Sequence, residues 1–270
     1  MHPWDAINLN ADLGESFGAW SMGDDPAMLD VVASANIACG FHAGDPLVMR
    51  QTVRAALARG VSVGAHPSFP DLQGFGRRRM DLSPPELEAV LVYQIGALQG
   101  VTAAEGGRVT HVKPHGALSN MACADAALAE TVARAVRAVD GGLILLAPAH
   151  SELARAGEQA GLRVALEVFA DRAYQDDGQL VPRSRSGAVL HGAEACWQHV
   201  QRMLDARALV SVTGRRLPTE IDSICVHGDG AEAVATARAI RAGLAGMGVA
   251  VVPLPGMRRR TQGQGREVAI

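Results

Sequence analysis

Residues 110–116 (THVKPHG) hold the only lysine of this 270-residue chain, Lys113, with His111 and His115 two residues away on either side. All other members of the 25 lysines and arginines are arginines. A lysine ammonium is compact and burial can lower its pKa, whereas an arginine guanidinium stays charged and forked. We therefore interpret Lys113 as a residue kept for a chemical task, although an arginine-biased chain can also retain one lysine by chance.

Ionisable side chains follow the carboxyl ends of most predicted strands. Active sites of parallel α/β folds are built at that edge of the sheet, so we expect these groups to share one site. They are Asp12 and Glu15 after the first strand, His42 and Asp45 after the second, His66 after the third, His115 after the fourth, Asp171 and Arg172 after the sixth, and His227 and Asp229 after the seventh.

Side-chain direction along two strands predicts a polar interior. Alternate residues of a strand share a face, so Asn8, Asn10 and Asp12 point one way and the apolar residues between them point the other. Residues 111–115 alternate in the same way. In a barrel the apolar side chains contact the helices and the polar side chains lie inside. Burial of a polar group is costly unless it forms hydrogen bonds or ion pairs, so we expect the inner polar groups to be paired or to serve a function. A half-exposed edge strand would also alternate, but two such strands ending in glycine-containing turns favour a site.

Four histidines follow strands and lie within two residues of a glycine or proline, which lets the backbone turn sharply near a ligand: His42, His66, His115 and His227. Asp12, His42 and His66 are a candidate metal site, because divalent ions take such nitrogen and oxygen ligands. No HxxxH or HxH spacing links His42 and His66 of this set. We therefore predict a site without a metal and keep these three residues as the alternative.

Two glycine-rich segments admit either a binding or a structural role. Residues 227–233 (HGDGAEA) form a predicted strand-to-helix turn whose N–H groups could hold a carboxylate or phosphate, and an ordinary turn capped by Asp229 explains them equally well. Residues 74–79 (GFGRRR) fit GxGxxG only superficially, because they follow a proline-rich loop rather than a strand. No dinucleotide site is predicted, and the chain contains no P-loop.

Short apolar runs alternate with longer segments of helical period, which predicts βα units and a parallel sheet. The predicted strands are 7–11, 35–39, 61–65, 109–113, 143–147, 163–168 and 222–227, with a further apolar run at 249–254. The predicted helices are 46–59, 84–104, 125–139, 150–160, 192–206 and 231–246. Seven or eight units favour closure into a single (β/α) barrel, with a doubly wound open sheet as the rival. We predict one domain, 1–255, and a disordered tail, 256–270.

Composition excludes several classes of protein. A net charge of -3 gives no reason to expect nucleic acid as a partner. No run approaches the roughly 18 apolar residues of a membrane span, and the amino terminus does not fit a signal peptide. The four cysteines have no CxxC spacing, so we expect a reduced, cytoplasmic location.

Six segments together resemble the LamB/YcsF family, the A subunits of 5-oxoprolinases. They are NADLGESFG (10–18), NIACGFHAGDP (36–46), GAHPSFPDLQGFGRR (64–78), HVKPHGAL (111–118), FADRAY (169–174) and CVHGD (225–229). The chain departs from the family pattern at HPSFPD, where HPGYPD is usual, and at GALSN, where GALYN is usual. The second departure places Ser119 where a tyrosine would stand near Lys113.

The resemblance implies a barrel of the glycoside hydrolase/deacetylase-like type and one activity, ATP-dependent opening of 5-oxo-L-proline (pyroglutamate) to L-glutamate. It implies ATP as a cosubstrate, accompanied by Mg²⁺, and two partner subunits, B and C. Because the chain lacks a P-loop, we expect ATP to bind mainly to the partners or at a site formed only in the complex.

This resemblance, together with the positions of the ionisable groups, assigns roles as a hypothesis. The predicted catalytic residues are Asp12, Glu15, His42, His66, Lys113, His115 and Asp171. The predicted substrate-binding residues are Asn10, Asp45, Arg172, His227 and Asp229. Two alternatives stay open: a metal-dependent deacetylase or amidase that acts alone, and a non-catalytic protein of the complex that binds a small carboxylate.

Overall fold

The structure, a computed structural model, describes residues 5–227 and 232–257 of the chain. Its strands are β1 (Ala6–Leu13), β2 (Ser34–Ala38), β3 (Ser62–His66), β4 (Val109–Val112), β5 (Ile144–Pro148), β6 (Arg163–Phe169), β7 (Ala208–Val210), β8 (Arg216–Pro218), β9 (Ser223–Val226) and β10 (Ala250–Val251). All seven strands predicted with defined bounds are present.

Seven of these strands close into a parallel barrel. Their order is β1-β2-β3-β4-β5-β6-β9, and β9 pairs back with β1, for example at Asn10 and Cys225. The predicted (β/α) barrel of about seven strands is therefore confirmed, and the open-sheet rival is wrong because the two edges of the sheet bond to each other. Since the strands are parallel, their carboxyl ends share one rim.

The last apolar run contributes only a two-residue strand. β10 pairs with the start of β1, where Ala6 lies opposite Ala250 and Ile7 opposite Val251. Further along, β1 is already bonded to β2 on one edge and β9 on the other. The run at 249–254 therefore cannot enter the ring as an eighth member.

The helices pack around the barrel wall. They are α1 (Asp25–Leu29), α2 (Pro46–Ala58), α3 (Pro84–Ala104), α4 (Gly116–Ala124), α5 (Ala126–Val139), α6 (Glu152–Gln159), α7 (Ala193–Ala206) and α8 (Ala233–Gly246). The six predicted helices correspond to α2, α3, α5, α6, α7 and α8. Helices α1 and α4 and the antiparallel hairpin of β7 and β8 were not predicted from the sequence.

The omission of α4 has a local cause. The helix begins at Gly116, whose φ of 58° is left-handed and does not indicate a helix start. The strong capping signal lies later, because the Asp125 carboxylate accepts hydrogen bonds from the N–H groups of Ala127 and Leu128. That signal predicts the start of α5, and nothing comparable in the sequence predicts the shorter helix before it.

The predicted start of α3 is confirmed in detail. The helix begins at Pro84, and the Glu86 carboxylate accepts a hydrogen bond of 2.8 Å from the Ser83 N–H. A proline at the first position and an acid at the third suit a helix start, because the first N–H groups have no partner within the helix.

The main apolar core lies between the barrel wall and the helices. Ile7, Leu9 and Ala11 of β1 are fully buried in one cluster with Met28 of α1 and Ile240 of α8. Each large aliphatic side chain buried in this way contributes about 1.5–3 kcal/mol to the free energy of folding. The apolar face of β1 therefore points outward to the helices, as its alternation predicts.

One helix, α3, is long and apolar enough to cross a membrane by length and composition alone. The sequence does not predict an apolar run long enough to span a membrane. Leu87, Leu91, Ile95 and Leu98 of α3 are fully buried in the core cluster. A core helix passes the same test, so this single helix is weak evidence for a membrane span.

Some of the predicted features fall at or beyond the limits of the described residues. Of the predicted tail, 256–270, only Gly256 and Met257 are described, and Gly256 ends a 3-10 helix that begins at Leu254. Asp229 lies outside the described residues, as does the predicted first residue of the last helix.

Candidate active site

The barrel interior is a polar network. Asn8 Nδ2 donates to Ser34 Oγ at 2.8 Å, Asn10 Nδ2 to Ser223 Oγ at 2.8 Å, and Asn36 Nδ2 to Asn10 Oδ1 at 2.7 Å. All five side chains are fully buried. The inward position predicted for Asn8 and Asn10 is therefore confirmed. A buried network whose members bond to one another stiffens the base on which the site stands.

The ammonium of Lys113 lies above this network and is almost completely buried. Its Nζ lies 2.9 Å from Asp12 Oδ1, 2.9 Å from Cys225 Sγ and 3.2 Å from Glu167 Oε1. The ring centre of Phe169 lies 5.3 Å from the same nitrogen. These partners come from three different strands, so closure of the barrel brings them together.

The structure corrects the idea that burial lowers the pKa of Lys113. Burial alone would lower it, but the Asp12 carboxylate, with Cys225 and Glu167, raises the pKa well above its ordinary value. Burial would raise the pKa of Asp12, yet His66 and Lys113 hold it well below its usual range. Lys113 and Asp12 therefore form a buried ion pair, and Lys113 is a fixed positive charge rather than a base.

Glu167 is a site residue that was not predicted from the sequence. It is fully buried in β6, and its Oε1 accepts a hydrogen bond of 2.9 Å from Asn10 Nδ2. Burial raises the pKa of Glu167 in spite of the adjacent Lys113 ammonium, and Asp12 adds to the rise. The available signal is a lone acid inside the apolar strand sequence RVALEVF. A barrel strand tolerates such a residue only on its inner face.

Glu15, His42, His66 and His115 meet at the rim, carried by the ends of β1, β2, β3 and β4. His42 Nε2 lies 3.5 Å from Glu15 Oε1, and His115 Nδ1 lies 3.7 Å from the same oxygen. His115 Nδ1 also lies 2.9 Å from His66 Nε2. One ligand atom from each residue lies within 4.8 Å of the others, so this buried cluster can hold a metal ion. We call it the rim cluster.

The rim cluster adjoins the Lys113 ion pair, because His66 Nε2 lies 3.4 Å from Asp12 Oδ2. Burial, together with the neighbouring imidazoles His115 and His66, holds the pKa of His42 well below its usual range. Burial and His66 do the same to the pKa of His115. At neutral pH both rings are uncharged, which suits them to accept a proton or to bind a metal.

The loop after β3 covers the rim cluster. The Phe75 carbonyl lies 2.9 Å from His115 Nε2, and the Phe75 ring meets the rings of His42 and His115 edge-on, at 5.6 and 5.0 Å. Gly76 has a φ of 63°, and a Cβ there would lie 2.9 Å from His42 Cβ and 3.0 Å from His115 Cδ2. The GFGRRR segment therefore packs its backbone against the histidines.

Asp171 and His227 form a second pair at the rim. Asp171 Oδ2 lies 2.8 Å from His227 Nδ1, and the ring of Phe169 stacks on His227 at 5.5 Å. Burial would raise the pKa of Asp171, but His227 outweighs it and lowers that pKa. The carboxylate thus orients the imidazole.

A further group of possible ligand atoms belongs to Asp12, Cys225 and His227, which also lie within 4.8 Å of one another. Lys113 Nζ lies 2.9 Å from both Asp12 Oδ1 and Cys225 Sγ. A positive charge already at these atoms repels a second cation. The rim cluster is the better metal site of the two.

Asp45 is placed away from the rim cluster as the N-cap of α2. Its carboxylate accepts hydrogen bonds from three backbone N–H groups, those of Gly18, Leu47 and Val48. These bonds lower the pKa of Asp45, with Gly18 as the largest cause. The contacts make Asp45 a brace between α2 and the loop that follows Glu15.

Arg172 is also buried, and backbone groups occupy two of its nitrogens. Its Nη2 donates to the Val181 carbonyl at 2.8 Å and its Nε to the Ala188 carbonyl at 3.3 Å. Burial, with the nearby charge of Arg183, lowers the pKa of Arg172 to about 10. These hydrogen bonds stabilise the segment after β6. Arg172 follows Asp171 directly in the chain.

A closed ring of seven parallel strands with helices around it defines the fold class, a (β/α) barrel like that of deacetylases. The catalytic domain of a peptidoglycan N-acetylglucosamine deacetylase from Eubacterium rectale shares this fold, with a TM-score of 0.50 at 12% identity over 97% of this chain and 96% of that one. The LamB/YcsF family model matches residues 7–259, and the chain belongs to that family.

Two relatives resemble the chain over nearly its whole length. The A subunit of a 5-oxoprolinase from Azoarcus sp. is 64% identical over 251 residues, which are 93% of this chain and 98% of that protein. The crystal structure of a lactam utilization protein from Thermus thermophilus is 45% identical with a TM-score of 0.86, and the match covers 92% of this chain and 99% of that one.

Proposed function

We propose that this chain is the A subunit of an ATP-dependent 5-oxoprolinase, which opens the lactam of 5-oxo-L-proline to give L-glutamate. The observation that carries the proposal is the 64% identity, over 93% of the chain, to a protein described as the A subunit of a 5-oxoprolinase. The similarity to a lactam utilization protein supports the same substrate class. The groups at the rim are those that such a reaction needs.

The chemistry explains the need for ATP. A five-membered lactam is an unstrained, resonance-stabilised amide, so water alone opens it with little driving force. Phosphoryl transfer from ATP to the lactam oxygen, with loss of the ring N–H proton, activates the carbon. Water then adds to that carbon, and the C–N bond breaks as a proton passes to the nitrogen. Hydrolysis of the resulting acyl phosphate releases phosphate and the side-chain carboxylate of glutamate.

Fixed positive charges stabilise the negative charge that develops on the substrate and the phosphoryl group during this reaction. Lys113 is held in place by Asp12 and Glu167 and keeps its proton, so it stabilises developing charge without rearrangement. Arg172 lies beside Asp171 and adds to the positive potential for the substrate carboxylate or the phosphoryl group. Arg77, whose guanidinium lies 4.9 Å from the Phe75 ring centre, stands next to the rim cluster on the outer side.

The remaining predicted residues supply proton transfer and orientation. Asp12, Glu15 or Asp171 orients or deprotonates water, and His42, His66 or His115 shuttles protons. Asn10 and His227 bind substrate at the inner and outer parts of the site, as does Asp229, which follows His227 by two residues in the sequence. Asp45 acts indirectly, through the loop that it braces.

ATP, accompanied by Mg²⁺, is the proposed cosubstrate, and subunits B and C are the proposed partners. The chain has no P-loop, so the proposal places ATP on the partners or at a site that forms in the complex. We propose that the complex works in the cytoplasm, as the cysteine usage predicts.

Reconstitution tests the proposal directly. The purified chain is mixed with its B and C subunits, 5-oxo-L-proline and MgATP, and glutamate and phosphate are measured. We expect both products to depend on all three subunits. Glutamate formation that is unchanged when this chain is omitted would refute the proposal, and so would substrate binding without turnover in the complete complex, which would mark a non-catalytic binding protein.

A second candidate is a metal-dependent amidase or deacetylase that acts alone. The observation that favours it is the rim cluster, with three imidazoles and a carboxylate within 4.8 Å of one another. The two candidates differ in their requirements. Turnover of a lactam or an acetamide by the isolated chain, dependent on added Zn²⁺ or Co²⁺ and independent of ATP, would favour the second over the first.

A further inference from the structure

We propose that the rim cluster of Glu15, His42, His66 and His115 is a binding site for one divalent transition-metal ion, of the Zn²⁺ or Co²⁺ type. The inference does not depend on the proposed activity, because it follows from the contacts of the imidazoles. It also revises the alternative metal set predicted from the sequence. His42 and His66 remain, whereas Glu15 and His115 take the place of Asp12.

Two facing histidines have tautomers that their carbonyl partners define. His66 Nδ1 lies 2.6 Å from the Lys113 carbonyl, and His115 Nε2 lies 2.9 Å from the Phe75 carbonyl. A carbonyl only accepts hydrogen bonds, so each of these nitrogens carries a proton. The other two nitrogens, His66 Nε2 and His115 Nδ1, face each other at 2.9 Å. Two nitrogen lone pairs at that distance repel unless they share a proton or a metal ion, and a metal ion can bind both.

His42 offers a further nitrogen to the same place. Within residues 5–227 and 232–257, neither of its ring nitrogens has a hydrogen-bond partner, although the side chain is fully buried. A buried polar group without a partner costs about 1–3 kcal/mol. Its ring stacks on His115 at 4.0 Å, and its Nε2 lies 3.5 Å from Glu15 Oε1. A metal–ligand bond would satisfy this nitrogen.

The spacing of the donor atoms fits a single ion. Ligands about 2.1 Å from a tetrahedral ion lie roughly 3.4 Å from one another. Three of the six separations among Glu15, His42, His66 and His115 are 3.5, 3.7 and 2.9 Å, and one ligand atom from each residue lies within 4.8 Å of the others. The rings of His42 and His115 are stacked with an angle of 9° between their planes, so they must turn toward the ion to complete the site.

The surroundings of the rim cluster resemble those of a metal site. Histidine ligands commonly donate their second N–H to a carbonyl or carboxylate, which fixes the ring for the metal. The Lys113 and Phe75 carbonyls accept those bonds from His66 and His115. Three imidazole nitrogens with one carboxylate suit Zn²⁺, Co²⁺ or a similar ion better than Mg²⁺, which prefers oxygen. Such an ion would polarise a carbonyl or activate water.

Metal binding is tested on the purified full chain. The chain is treated with a chelator, titrated with Co²⁺ and then with Zn²⁺, and the bound metal is counted by elemental mass spectrometry. We expect one ion per chain, visible absorption bands from Co²⁺ bound to imidazole, and loss of those bands as Zn²⁺ replaces it. Glu15→Gln and His66→Gln should each weaken Co²⁺ binding by about 100-fold or more.

His199→Gln is the matched control, because His199 is another buried histidine that lies outside the rim cluster. It should bind Co²⁺ like the unsubstituted chain, and circular dichroism checks that each variant is folded. Failure of the unsubstituted chain to bind one ion would overturn the inference even if a variant does not fold. Unchanged affinity in both cluster variants would also overturn it.

Glutamate formation by the reconstituted complex is measured on the same preparations. Stoichiometric metal binding without glutamate would contradict the proposed function and leave the metal site standing. Glutamate formation by a chain that binds no metal would support the proposed function and overturn the metal site.

Discussion

At the scale of single residues, the charge of Lys113 holds the site together. Its ammonium pairs with Asp12 and Glu167 in the buried interior. Removing one partner of a buried pair costs about 3–5 kcal/mol, because the remaining charge is left without compensation. We expect Lys113→Met to lower the free energy of unfolding by about that amount and to reduce glutamate formation by about 100-fold or more. Urea unfolding and the reconstituted assay measure the two effects.

A double variant separates the two roles of this lysine. In Lys113→Met/Glu167→Gln one of the uncompensated carboxylates is gone, so part of the lost stability should return. The activity should not return, because the positive charge is still missing. Near-normal activity of Lys113→Met in the complex would show that the lysine is only structural.

At the scale of elements, the loop after β3 is fitted to the histidines through Gly76. A Cβ at Gly76 would overlap Ser68 Oγ and press on His42 and His115, and the φ of 63° already disfavours any other residue. We expect Gly76→Ala to cost about 3 kcal/mol of stability. It should also weaken Co²⁺ binding by moving the imidazoles.

Gly60→Ala is the control for that substitution. Gly60 has a similar φ of 68°, but a Cβ there would meet nothing within 4 Å. It should therefore carry only the backbone cost of about 1 kcal/mol and leave Co²⁺ binding unchanged. Equal losses in the two variants would show that the loop is not packed tightly on the rim cluster.

The N-cap of α2 gives a second prediction at this scale. Asp45→Ala removes the acceptor for three backbone N–H groups, including that of Gly18 near Glu15. Loss of such a cap costs about 1–2 kcal/mol, whereas asparagine is also a good cap. We expect Asp45→Ala to lower stability and to raise KM, and Asp45→Asn to restore both. A raised KM in Asp45→Asn would instead indicate that the charge of Asp45 contacts substrate.

At the scale of the whole molecule, buried His199 makes stability depend on pH. Burial, with Arg202, lowers its pKa to about 4. An unfolded histidine titrates near a pH of about 6.5. Between these values the unfolded state binds a proton that the folded state does not, so stability falls as the pH drops below about 6.5 and levels off below about 4.

The expected size of this effect is about 2 kcal/mol at a pH of about 4.5. Urea unfolding of the unsubstituted chain and of His199→Gln is measured at neutral pH and at this lower pH. The difference in unfolding free energy between the two proteins should shift by that amount in favour of His199→Gln. An unchanged difference would mean that His199 takes up its proton in the folded state as easily as in the unfolded one.

Much of the fold was open to prediction because local signals repeat along the chain. Apolar strands, helical periods and the cap at Ser83 indicate βα units, and the structure contains them. The elements that were missed are short or lack a cap signal, as in α1, α4 and the hairpin of β7 and β8. Short elements take most of their stability from tertiary packing, so their own residues indicate them poorly.

By itself, the sequence determined which chemical groups stand at the strand ends and which face of each strand is polar, because both follow from order and alternation along the chain. Only the tertiary structure decided which groups meet. Closure of the barrel joins Asp12 to Lys113 and brings in Glu167, which no local pattern connects to either. It also places His115 against His66. Contacts between residues so far apart in the chain depend on strand order and register, and these are fixed by packing of the whole molecule.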